Sequence, residues 1–189
     1  MFEKLERLKD DCLCELDSID LLYKVGKNIT WEIDKRSKRR LGVCRYNMRM
    51  GYTYHTIGIS NWLLKDFDDK TIKNTIMHEL IHTFEGCNNH GYEWQRYANM
   101  VNKKLGYNIK RLSNVQALCE NNNINYEEFN NARYKYKITC KHCGNVHMQF
   151  KLSTHYKWSY INNHMLCGKC RDKHFIVEDM KEHKILCDN

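Results

Sequence analysis

Residues 76–94 read IMHELIHTFEGCNNHGYEW. Ile72, Ile76, Met77, Leu80, Ile81 and Phe84 recur with helical spacing and predict a helix over roughly 70–85 with a wide apolar face. Within it, His78 and His82 stand four apart, one above the other, with Cβ atoms about 5–6 Å apart. Both imidazoles then reach one ion at Zn–N distances of about 2.0–2.1 Å. Glu79 lies beside the first of them but off the ligand axis, placed to take a proton from water and return it to a leaving amine. His-Glu-x-x-His alone is weak, because helices rich in these residues produce it by accident. Here it interrupts an apolar face, where two unpaired histidines are costly, and that sets aside the alternative of two ordinary core histidines.

A catalytic zinc takes three protein ligands and keeps a fourth position open. His90 follows a loop containing Gly86 and precedes Gly91, so the chain can turn back to the helix end; Glu93 on the next helix is the other candidate. His90 is preferred. Its place eight residues past His82 excludes the metzincin spacing of six.

Residues 1–24 carry an apolar stripe of Phe2, Leu5, Leu8, Leu13 and Leu16 and predict a helix. Ile29–Ile33, Leu41–Tyr46 and Tyr52–Ser60 predict three strands in an antiparallel meander, with Gly51 marking the last connection. Acids Asp66, Asp68 and Asp69 favour the start of the His-bearing helix. A further helix over 92–105 turns Trp94, Tyr97, Val101 and Leu105 inward. Residues 106–134 are polar and asparagine-rich, the expected domain boundary, with a short helix near 126–134. The chain lacks proline, and its many asparagines are assigned no mechanism.

Cys140-Lys-His-Cys143 and Cys167-Gly-Lys-Cys170 are two knuckles, each tight enough for both thiolates to meet one ion. Flanked by the strand-like runs 134–138 and 146–152, they predict a four-cysteine structural zinc site in a ribbon too small to fold on its core alone. The other six cysteines are read as thiols in a reducing compartment. No apolar run reaches the ~18 residues of a membrane span, and the N-terminus has no secretory h-region, so a cytosolic protein is expected.

The formal charge is +8. Residues 135–189 hold 10 basic and 5 acidic side chains, against 21 and 18 in the rest. Lys141, Lys151, Lys157, Lys169, Arg171 and Lys173, interleaved with Tyr156, Trp158, Tyr160 and Phe175, suit single-stranded nucleic acid, with cations on phosphates and rings on bases. The competing reading packs those rings into the ribbon core. The basic run Lys35–Arg40 is a second polyanion contact or a solvated hairpin loop.

The stretch HELIHTFEGCNNHGYEW resembles the SprT-like metallopeptidase family. The Trp31 strand, Gly42-Val43-Cys44-Arg45, Ile57-Gly58-Ile59-Ser60 and the pair Leu63-Leu64 fall in that family's order, although the loop before the third histidine is shorter than in its better-known members. The resemblance covers about residues 1–112 and, with the ribbon, most of the chain. It implies that His78, His82 and His90 hold zinc, that Glu79 is catalytic, and that the substrates are proteins bound to or crosslinked on DNA.

The expectation is therefore α+β: helices on a small antiparallel three-stranded sheet, zincin-like, over 1–112, a linker at 113–134, a β-rich zinc ribbon at 135–178 and a tail at 179–189. It takes two zinc ions, acts as a monomer on protein or peptide, and meets single-stranded or structured DNA in the cytoplasm, with the nucleoid as one place to do so. The rival is a nucleic-acid-binding zinc protein whose peptidase-like domain is a non-proteolytic scaffold. Tyr54, His55 and Tyr92 are the candidates for stabilising an oxyanion.

Overall fold

A computed structural model describes residues 1–37, 40–153, 159 and 164–188. The chain is α+β and divides into two units, residues 1–123 and 124–189, with a separate sheet in each.

In the first unit, α1 (Phe2–Asp17) buries Leu5, Leu8, Cys12 and Leu16, one stripe at i, i+3 and i+4 spacing. Three strands follow, β1 (Ile29–Asp34), β2 (Gly42–Arg49) and β3 (Tyr52–Ser60), then α2 (Asn61–Asp66) and α3 (Asp69–Ile81). The carboxylate of Asp68 accepts from the backbone N–H of Thr71 at 2.7 Å and caps α3. Ile72, Ile76, Met77, Leu80 and Ile81 are fully buried on it. The helix stops four residues earlier than the apolar spacing suggests, because the Thr83 hydroxyl donates to the Leu80 carbonyl (2.7 Å) and ends the ladder. α4 (Tyr92–Leu105) ends at Gly106, whose φ of 73° is the left-handed stop that glycine favours.

The sheet corrects the expected meander. Its order is β1-β3-β2, with β1 parallel and β2 antiparallel to β3, so the sheet is mixed. The chain still alternates in direction, but β3 slots between the other two. Ile57 and Ile59 make β3 the most apolar strand, and the central place buries them completely. The connection from β1 is too long for a two-residue hairpin and is turned across the end of β3 by Asp34. That carboxylate accepts from the N–H groups of Arg36 (3.0 Å) and Ser37 (2.9 Å) and from the Arg40 guanidinium (3.1 Å). Burial pushes Asp34 upward, and these donors together hold it below the usual carboxylate range. Lys38 and Arg39 of the basic run lie outside the described residues.

β2 and β3 are joined by Met50 and Gly51, both at positive φ (50° and 79°), the two-residue turn that matches strand twist. The Leu41 carbonyl accepts from Ser60 N–H at 2.8 Å, so odd residues of β2 face β3. Gly42, Cys44, Tyr46 and Met48 turn their N–H and C=O groups to the outer edge.

The stretch expected to be a linker holds α5 (Val115–Asn121) as well as the expected short helix, α6 (Tyr126–Arg133), and the unit boundary falls between them. Asparagines make both helices: Asn114 Oδ1 accepts from Gln116 and Ala117 N–H, and Asn125 Oδ1 from Glu127 and Glu128. In the second unit β4 (Tyr136–Cys140), β5 (Val146–Gln149), β6 (Phe175–Asp179) and β7 (Lys184–Asp188) form an antiparallel sheet of order β5-β4-β6-β7. The expected ribbon end at 178 falls inside β6, and the expected tail contains the strand that closes the sheet. Among the described residues no helix is long and apolar enough to cross a membrane.

Amide hydrogen exchange tests the strand order. The Tyr46 and Met48 amides, pointing off the edge, should exchange orders of magnitude faster than Ile57 and Ile59. Slow exchange at Tyr46 and Met48 would restore the consecutive meander, in which β2 is central.

Candidate metal centres

His78 ends a turn of α3, His82 is the residue that follows its last, and His90 returns from the loop at Gly86, where φ is 77°. The three imidazoles converge: His90 Nε2 lies 3.0 Å from His78 Nε2 and 3.1 Å from His82 Nε2. A tetrahedral ion with bonds of about 2.0–2.1 Å requires nitrogens about 3.3 Å apart, close to what is found.

The tautomers follow from the other ring nitrogens. His78 Nδ1 sits 3.1 Å from the Lys110 carbonyl and His82 Nδ1 2.8 Å from the Cys87 carbonyl. A carbonyl only accepts, so each Nδ1 carries the hydrogen and each Nε2 presents a bare lone pair. A single hydrogen on His90 Nε2 can satisfy one neighbour and not both. Burial pushes all three imidazoles down, His78 to about 3, which keeps them in the neutral form that binds metal. Three converging neutral nitrogen donors, two of them with fixed tautomers, fit a divalent ion, and they are consistent with zinc.

Trp94, 2 % exposed on α4, floors the site. Its ring centroid is 4.7 Å from His78, 5.5 Å from His82 and 4.6 Å from His90. Glu93, the other candidate third ligand, pairs instead with Arg96 at 2.6 Å and stands outside the cluster.

Glu79 is buried, and burial pushes its carboxyl up to about 8, opposed by the Cys44 N–H at the outer edge of β2. Gly42 explains how the strand comes so close. A Cβ there would lie 2.7 Å from Glu79 Oε1 and 2.9 Å from Thr75 Cγ2. A cavity of about 290 Å³ opens beside His78 and Glu79, with Arg40, Ile109 and Arg111 in its wall. A groove of about 550 Å³ runs past His82 and His55. Of the oxyanion candidates, His55 is buried on that groove, whereas Tyr54 and Tyr92 are exposed.

In the second unit Cys140 Sγ lies 3.5 Å from Cys170 Sγ and Cys143 Sγ 3.6 Å from Cys167 Sγ; all four sulfurs fall within 4.8 Å of one another. No disulfide links any cysteine. The two knuckles close alike, Gly144 N–H on the Cys140 carbonyl and Arg171 N–H on that of Cys167, each 2.9 Å, with Gly144 and Arg171 both at φ 66°. The N–H groups of Cys170 and Lys169 pull the Cys167 thiol down toward its thiolate form. Four sulfurs with no open position suit a structural ion.

The proposed nucleic-acid residues divide. Lys151, Lys169, Arg171 and Lys173 are exposed, Lys141 pairs with Asp188 at 2.7 Å, and Phe175 is in the core rather than on the surface. Lys157, Trp158, Tyr156 and Tyr160 lie outside the described residues.

Several functional groups went unread in the sequence. The Lys110 and Cys87 carbonyls are backbone and leave no side-chain signal. Lys110 is placed by asparagines: Asn102 donates to the Ile109 carbonyl (3.0 Å) and accepts from its N–H (2.7 Å), while Asn74 accepts from Asn108 N–H (2.8 Å). Gly42 did carry a signal, since a glycine inside a strand marks close approach.

The model of the SprT-like family matches residues 16–114, just over half of the 189 residues, and spans every residue of the histidine site. A search of curated proteins finds no match.

Asn102→Ala should weaken metal binding at the histidine site about 10–100-fold, read by competition with a chromogenic chelator. Asn114→Ala, which removes only a helix cap, should lower stability by about 1 kcal/mol and leave that affinity unchanged.

Proposed function

We propose that this chain, which belongs to the SprT-like family, is a zinc-dependent peptidase of zincin-like build acting on proteins associated with or crosslinked to DNA. The observation that carries the peptidase reading is the convergence of three Nε2 atoms beside a buried glutamate that the cluster does not use as a ligand. Metal storage alone does not call for that carboxylate.

His78, His82 and His90 would hold the ion, which when bound supplies Lewis acidity toward the scissile carbonyl. Glu79 takes a proton from the attacking water on a carboxylate oxygen and passes it to the leaving nitrogen. Its burial raises its proton affinity toward neutrality, where such a shuttle works in both directions. The Lys110 and Cys87 carbonyls keep the first two imidazoles in one tautomer throughout. β2 is an edge strand whose Cys44 N–H meets Glu79, and farther out the N–H and C=O groups of Tyr46 and Met48 face away from β3, where an extended peptide can add as a strand. DNA, single-stranded or structured, is the proposed recruiting partner of a monomer in a reducing, cytoplasmic setting. The exposed Lys151, Lys169, Arg171 and Lys173 support it.

Glu79→Gln should keep its metal and lose at least about 10²-fold in cleavage of a DNA-bound protein. Cleavage that survives the substitution sinks the mechanism, and DNA binding without cleavage under any condition favours the scaffold. Metal analysis should return two zinc ions per chain. Cys167→Ser should bring that to one and unfold residues 124–189 while the helical signal of the first unit persists; a protein that stays fully folded would remove the structural role.

A further inference from the structure

We infer that the outer half of the β2–β3 hairpin is a docking surface for extended, unfolded polypeptide carrying apolar side chains. This deepens the peptidase reading and rests on it for the location of the cleavage site.

Alternate residues of a strand share a face, so Gly42, Cys44, Tyr46 and Met48 form one row. Its inner end is at the site: a Cβ on Gly42 would touch Glu79, and Cys44 Sγ lies 3.8 Å from His55 Nδ1. Its outer end is exposed, Tyr46 at 56 % and Met48 at 68 %. Across the pair, Tyr46 stands opposite His55 and Met48 opposite Thr53. Tyr46, Met48 and His55 line the 550 Å³ groove, and so does His82. One row of side chains therefore leads from the proton-transferring carboxylate out along the hairpin.

The tip supplies an independent observation. Met50 is 97 % exposed and has φ 50°. A left-handed turn position favours asparagine or glycine, and burial favours methionine elsewhere. In a chain this rich in asparagine, neither turn chemistry nor packing calls for methionine there. Tyr46 and Met48 on this face, with Met50 at the tip, leave large apolar groups in water, a patch of the kind that marks an interaction site, while Tyr52 and Tyr54 stand across from Arg49 and Asn47 on the other face.

The chemistry of the patch selects polypeptide. Two of its three exposed groups, Met48 and Met50, are thioethers, which adapt to many apolar shapes but have no flat face on which a base stacks; Tyr46 alone has one. The outward N–H and C=O groups of Tyr46 and Met48 match a β-strand's own alternation and not a phosphate backbone. Arg45, on the opposite face, is already paired with Glu32. A folded protein hides its apolar alternating segments in its own sheets, so the surface distinguishes unfolded from folded chains.

The test uses full-length, zinc-loaded Glu79→Gln protein as a non-cleaving trap. Fluorescein-labelled α-lactalbumin, native or reduced and carboxymethylated, serves as the probe, read by anisotropy. The unfolded form should bind and the native form should not. Adding Met48→Ser and Met50→Ser should raise Kd for the unfolded form at least tenfold with zinc content unchanged. Met50→Asn separates docking from folding: the turn gains, so the melting temperature should rise while binding weakens. Unchanged Kd in both variants overturns the inference. So does a greater loss for a labelled oligothymidine than for unfolded protein, which would make the hairpin a nucleic-acid platform. With Glu79 intact, the serine variants should raise KM for unfolded substrate and leave kcat unchanged. Absent turnover with hairpin-dependent binding would remove the peptidase reading and retain the docking surface.

Discussion

Two backbone carbonyls govern the histidine site. By accepting the Nδ1 hydrogens of His78 and His82, Lys110 and Cys87 oblige both imidazoles to turn bare Nε2 lone pairs toward His90. The first of these is placed by distant parts of the chain, the second by the loop that follows the helix. Lys110 follows α4 and is pinned by Asn102 and Asn74, the second of these on α3 itself. Cys87 belongs to the loop that carries His90. The helix that bears the ligands and the segments that orient them therefore brace one another. Glu15 adds to the same frame, since it engages both Lys73 on α3 and the Tyr107 hydroxyl just beyond α4. Hydrogen bonds to charged groups contribute about 1.5–3 kcal/mol each when sheltered from water, enough to hold ligands with their lone pairs opposed.

The second unit solves a different problem. Its core is a short set, Ile138, Phe175, Val177 and the cysteines themselves, with Leu152, Met165 and Leu186 at the margin. So little apolar area scarcely offsets the entropy of ordering the chain, and an ion cross-linking the two knuckles would supply what hydrophobic burial does not. Bound in the first unit, a metal would sit on a fold that already has its core. Bound in the second, it would be part of what folds.

What was legible in the sequence was what side chains announce locally. The His-Glu-x-x-His spacing, the returning His90 and the paired cysteines all have covalent spacings that limit their geometry, and the structure brings each set together. The helices over 92–105 and near 126–134 were readable from apolar period. Strand order was not. Alternation identified three strands and their directions, but the central place of β3 goes with the complete burial of Ile57 and Ile59, which depends on what packs on both sides of the strand. Composition assigns the asparagines no mechanism, yet Asn74, Asn102, Asn114 and Asn125 each place backbone at a defined point. A side chain that both donates and accepts acts on whatever backbone is near, and sequence does not say what is near.

Trp94 was read simply as a residue that packs inward, and so it does. Yet its indole lies within about 5.5 Å of all three ligand rings and is 2 % exposed. The emission of a sheltered indole responds to the charge and electron-accepting power of the rings packed against it. The molecule thus carries a built-in optical gauge of the state of its own histidine cluster, one that needs neither a label nor a substrate to be read.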